Sequence, residues 1–332
     1  MNKIKKIIAG FLLSAMLLPS VSTIASAQGK IDTTVVNERW GQPTFVYGES
    51  LSESEVKETQ RLLDIENPEN VNSTSVTYKD LVNYIGGDPN GSSNMISSVI
   101  VQKENKGKGV DVVIKTPENI TEVTKEQYRN ASITAGVEDA TLIVGAVRKV
   151  TGESALTGIY KAFEVNGEKL DKDRMEAAQE ELEVVNEINQ KNEGKDNYTS
   201  PQLDNAIVEV KNKLSEIKQE NKEIPTKQEI TQVINQAVEN NNLQNIVTGD
   251  QINQLVIYFQ QYVQTGAIDS EQVKQELSKL SKDLVGTASE IYDNAKQSGL
   301  VDQIVGFFRD LIDGFVNLIG GNNNGENTNT NQ

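Results

Sequence analysis

Between Ala140 and Val150 the chain reads ATLIVGAVRKV, and no other stretch limits the fold so strongly. Leu142, Ile143, Val144, Ala146 and Val147 are apolar without alternation. A strand with one wet face would alternate, so this one is expected to be buried on both faces. Gly145 inside it points to a bulge or a close backbone approach. On the upstream side, Thr124-x-x-Gln127 caps a helix over Lys125 to Ala135, and Gly136 suits its left-handed C-terminal position. Downstream, Gly152 breaks the strand and Ser154 is placed to cap a helix running through Phe163.

The chain before this run is mixed. Thr33 to Val36 and Phe45 to Tyr47 read as extended, with Trp40 between them as a core anchor. Ser52-x-x-Glu55 is a capping box opening a helix that Asn67-Pro68 stops. A second helix spans Thr77 to Ile85, and Gly86 to Gly91 form a turn cluster. Met95 to Gln102 and Val110 to Lys115 are β-branched runs around the polar turn Glu104 to Gly109, a hairpin with a longer loop. The resulting order predicts an α+β chain. Its N-terminal part is read as a two-layer α/β sandwich, with the ferredoxin-like split βαβ arrangement preferred for residues 40–165 and helices on one face of the sheet.

After Asn166-Gly167 the periodicity becomes helical. Leu170 to Asn192 and Leu203 to Glu220 are helices, and Thr226-x-x-Glu229 and Thr248-x-x-Gln251 cap two more. A fifth starts at Ser270 with an apolar stripe from Val273 to Ala295. A last one, Leu300 to Ile319, sets Val301, Ile304, Phe308, Leu311 and Phe315 against Asp302, Arg309, Asp310 and Asp313. Its acidic polar face suits docking on the bundle better than an anionic membrane surface. The expected domains are an α/β domain at 28–165, a helical region at 166–319 and a disordered polar tail at 320–332.

The first 27 residues form an export signal: Lys3, Lys5 and Lys6, an apolar run from Ile7 to Leu18, and the small-residue cleavage site Ala25-Ser26-Ala27. Processing after Ala27 would make the chain three units more acidic than its net charge of −16. Such an excess disfavours nucleic acid and anionic surfaces as simple partners. The sequence contains no cysteine and no histidine. Disulfides, Ser-His-Asp and Cys-His nucleophiles and His- or Cys-ligated zinc are therefore excluded. Carboxylate, Ser-Lys and Tyr chemistry and oxygen-ligated cations remain.

The turn Thr151, Gly152, Glu153, Ser154 joins a central strand to a helix start, where open α/β sheets bind ligands and helix amides attract anions. It is the candidate ligand-binding site. A plain strand-to-helix turn explains the same residues, with Gly for its dihedral and Ser as cap. Ser154 has no evident base beyond Lys149 or Lys161. Glu138, Asp139 and Glu153 would be first candidates for glycan hydrolysis by paired carboxylates. Gly107-Lys108-Gly109 lacks the spacing of a phosphate loop. No catalytic residue, metal ligand or cofactor is assigned.

The segments MISSVIV from Met95, GVDVVIKTPENITEVTKEQY from Gly109 and ASITAGVEDATLIVGAVRKVTGESALTGIYKAFE from Ala131 resemble a family of secreted Gram-positive proteins, domain of unknown function number 1002 (YpuA-like). The resemblance implies export and a shared fold, and carries no catalytic residues. The expected function is a secreted, envelope-associated binding or structural protein, with an unidentified envelope or protein partner. A carboxylate-based cell-wall glycan hydrolase and a membrane-surface protein acting through Leu300 to Ile319 are the alternatives.

Overall fold

The computed structural model describes residues 31–34 and 36–280. The expected export signal, the helix Leu300 to Ile319 and the polar tail lie outside the described residues.

Five strands form one mixed sheet: β1 (Thr44–Gly48), β2 (Asn72–Val76), β3 (Ser98–Lys103), β4 (Val110–Ile114) and β5 (Ala140–Gly145), in the order β2-β1-β3-β5-β4. The N-terminal helices are α1 (Glu53–Leu62), α2 (Tyr78–Ile85), α3 (Lys125–Ala135) and α4 (Glu153–Val165). The helical half supplies α5 (Lys172–Asn192), α6 (Ser200–Asn221), α7 (Lys227–Asn240), α8 (Gly249–Tyr262) and a helix over residues 271–280. The α+β class expected from the sequence is the one adopted.

The strand order differs from the ferredoxin-like expectation. β1 and β2 are adjacent and parallel, and so are β4 and β5. With α1 and α3 as crossovers these are two unsplit βαβ units, joined by β3, which runs antiparallel to both β1 and β5. The runs on either side of Glu104 to Gly109 are strands but not a hairpin, because β5 lies between them. The reason is visible at the turn. Asp139, just before β5, accepts from the amides of Gly107 (2.9 Å) and Gly109 (2.8 Å), and its carbonyl accepts from Glu104 (2.7 Å). The turn is thus held open around the residue that leads into the inserted strand.

β2, with sequence NSTSV, is a polar and largely exposed edge strand that hydrophobic patterning does not reveal. Thr33 and Thr34 lie in a turn closed by Asp32 rather than in a strand.

Alternate residues of the sheet enter two apolar clusters, as the two-residue period of a strand requires. Val46, Val99, Val101, Val112, Leu142 and Val144 face a large cluster that continues through α3, α4 and α5 into α8. Phe45, Ile100 and Ile143 face a smaller one, closed by Leu63, Ile65 and Val71 and flanked by Val56 of α1. Both faces are therefore covered, not one. Every residue of β5 is buried, as its unbroken apolar run demands.

Gly145 makes the close approach expected of it: a Cβ there would lie 2.9 Å from Leu63 Cδ2. The strand ends at that point, earlier than Val150, because the amide of Ala146 donates to Thr116 Oγ1 at 2.9 Å. The capping boxes at Ser52, Thr124, Thr226 and Thr248 all form, and Gly136 is left-handed at φ 97°.

Candidate functional site

The β5–α4 turn presents Thr151 to solvent, half-buries Glu153 and buries Gly152 and Ser154. Gly152 is left-handed at φ 111°, and a Cβ there would lie 2.6 Å from Tyr128 Oη and 2.8 Å from Ile120 Cγ2. Only glycine meets both constraints. It also occupies the N-cap position of α4, with no side-chain cap. Ser154 is therefore not the cap expected from the sequence.

Ser154 instead binds the entry of β3. Its Oγ accepts from the Ile96 amide at 3.1 Å and lies 2.7 Å from Ser97 Oγ. Ser97 donates its own proton to the Gly152 carbonyl at 3.0 Å and accepts from the Ala155 amide at 2.9 Å. The Ser154 hydroxyl has two acceptors within reach, Ser97 Oγ and the Ser97 carbonyl at 3.3 Å, and either one takes its proton. The Tyr128 hydroxyl also donates to the Gly152 carbonyl, at 2.5 Å. Lys161 is held by Asp80 (3.0 Å) and Glu164 (2.9 Å), and Lys149 is exposed. This arrangement gives Ser154 no activating base.

A concave pocket of about 50 Å³ opens beside the turn, between Thr151 to Ser154 and the segment Ser93 to Ser97. Glu153 lines it. Burial, then the charges of Glu183 and Glu122, push its carboxyl above the ordinary range. The pocket has room for a few waters or a small polar group, far below the 300–1,000 Å³ or so usual for ligand sites.

The other carboxylates proposed from sequence are not brought to this place. Glu138 and Asp139 precede β5 and Glu153 follows it, so about 20 Å of extended chain separates them at ~3.3 Å per residue. Glycosidase pairs stand about 5–9.5 Å apart. Asp139 is moreover occupied by the amides of Gly107 and Gly109.

Two buried charge centres escaped the sequence reading. Lys211 on α6 meets Glu181 on α5 at 2.7 Å, and its ammonium also donates to Asn130 Oδ1 (2.8 Å) and Thr134 Oγ1 (2.7 Å) of α3. Tyr258 of α8 donates to the same carboxylate at 2.7 Å, and Tyr262 places its ring 5.5 Å from the ammonium. Lys103 on β3 lies against the rings of Trp40 and Phe163, at 5.6 and 4.9 Å, and pairs with Glu168 at 3.0 Å. Glu168 also accepts from the Trp40 indole at 2.8 Å. A signal for the first centre existed: Lys211 stands four residues after Ile207 and three before Leu214, inside the apolar stripe of its helix.

Among the described residues no group of acidic side chains could hold a metal ion, and no helix is long and apolar enough to cross a membrane. No solved structure matches this chain. The chain is similar to the Bacillus subtilis (strain 168) uncharacterized protein YpuA, at 30% identity over 319 residues, covering 95% of this chain and 99% of that one. A family model described as a protein of unknown function, DUF1002, matches residues 47–280, which include β2 to β5, the candidate turn and the Lys211–Glu181 pair. The chain therefore belongs to the DUF1002 family.

Proposed function

We propose that this chain is an exported, non-catalytic protein that binds or organises a component of the cell envelope. The observation that carries this reading is the state of the groups at the candidate turn. Ser97, Ser154 and Tyr128 are closed on one another and on the Gly152 carbonyl, and the pocket beside them holds about 50 Å³. A site that processes a glycan or peptide needs a longer cleft than this one. Export is supported by the tripartite N-terminus.

The test has two arms on the purified full chain. Incubation with peptidoglycan should release no soluble fragments, and immobilised protein should enrich a cell-wall or membrane-fraction component over an unrelated acidic control. Fragment release that disappears in Glu153→Gln would overturn the reading in favour of carboxylate hydrolysis. Fractionation of cells should place the protein outside the membrane with Gln28 as its N-terminus; an intact N-terminus in the cytoplasm would refute export.

A further inference from the structure

We propose that the Gly107–Val110 turn is a carboxylate-binding socket, filled in this chain by Glu276, which straps the helix over residues 271–280 across the free edge of β4. The register of β4 places the socket on that edge. The Ala140 amide donates to the Gly109 carbonyl and the Lys115 amide to the Val144 carbonyl. Odd-numbered residues of β4 thus pair with β5, and Val110, Val112 and Ile114 turn their backbone groups to the open side.

The first of these outward amides, that of Val110, donates to Glu276 Oε2 at 3.0 Å. Glu276 is 2% exposed. Its other oxygen accepts from Lys279 at 3.0 Å, and the same ammonium donates to the Gly107 carbonyl at 2.9 Å. The carboxylate therefore sits between a backbone amide and an ammonium, two donors suited to an anion. Val273, Leu277 and Leu280 are buried beside it on the same helix.

Gly109 supplies an independent observation. A Cβ on it would lie 2.5 Å from Glu276 Oε2 and 3.1 Å from both Glu276 Oε1 and Lys279 Nζ. The backbone is left-handed there, at φ 86°. The turn is thus bare where the carboxylate rests. The chemistry recognised is that of a carboxylate, and a small carboxylate from outside the chain can take the same place where the Glu276 side chain is absent and Lys279 stays beside the turn.

Chemical rescue of the full-length Glu276→Ala variant tests this. Removal of the side chain should lower the melting temperature and speed hydrogen exchange at the Val110 amide roughly tenfold. Sodium acetate should restore both in the variant, sodium chloride at equal ionic strength should not, and wild type should respond equally to the two salts. Equal responses of the variant to acetate and chloride, or unchanged Val110 exchange, would overturn the proposal. Should that variant not fold, Gly109→Ala provides the second reading: its Cβ displaces the carboxylate, so Val110 must exchange faster than in wild type, and a wild-type rate refutes the socket.

Discussion

Lys211 and Glu181 meet at 2.7 Å in the interior, with their side chains 0% and 3% exposed, and this pair links three helices of the second half to α3 beneath the sheet. Burying two charges is costly, and removal of one partner leaves the other uncompensated. Lys211→Met should therefore destabilise the protein by about 3–5 kcal/mol in a urea titration. Lys211→Met with Glu181→Leu should be less damaging than the lysine change alone. A double variant as unstable as the sum of the singles would show that the two charges do not couple.

The turn at Gly152 should tolerate no side chain. Gly152→Ala combines a left-handed backbone with a Cβ 2.6 Å from Tyr128 Oη. Strain of this kind costs about 1–3 kcal/mol before the steric clash is added. Tyr128→Phe removes the crowding oxygen, so the pair Gly152→Ala, Tyr128→Phe should recover part of the loss by thermal denaturation.

Trp40 is the sequence's single tryptophan, which makes its surroundings readable by fluorescence. Lys103→Met should alter its emission and destabilise the fold, since Glu168 then loses a buried partner. Burial acts to raise the Glu168 carboxyl, but bonds from Trp40 and Lys103 and the charges of Lys103 and Arg39 prevail and hold it below the usual range. A depressed carboxylate stabilises the fold above its unfolded pKa of about 4.3, and that stability is lost as pH falls through the folded value. Acid should thus perturb Trp40 emission in wild type, and less in Glu168→Gln.

Asp204 should show the opposite dependence. It lies buried in α6 with one carboxyl oxygen unpartnered. Burial, then the charges of Glu126 and Glu181, push its carboxyl well up. The folded state then binds a proton that the unfolded state has released above about pH 4, so this group's contribution declines as pH rises toward the folded value. Asp204→Asn should flatten that decline and be more stable than wild type near neutrality. Parallel pH profiles of denaturation free energy for the two proteins would contradict it.

Much of the architecture was legible in local chemistry. Capping boxes such as Thr124-Gln127 and the unbroken run Leu142 to Val144 mark their elements because the cause lies within a few residues. The order of the strands was not legible, because it depends on Asp139 holding the 104–109 turn open, a contact made by a single polar side chain across some thirty positions. β2 escaped because an exposed edge strand carries no apolar period. At the candidate turn, the sequence assigned Ser154 to a cap, and the structure gives that position to Gly152. The serine's partner, Ser97, lies on a different element and no local spacing announces it.

β5 enters the sequence after the other four strands, yet it occupies an interior position between β3 and β4. A chain emerging from its N-terminus can pair β1 with β2 and β3, but β4 has no neighbour in the sheet until residues 140–145 arrive. Assembly of the sheet is thereby deferred until nearly half of the polypeptide is available, and nascent or truncated forms ending before Ala140 would carry an orphaned β4 and an unclosed gap beside β3.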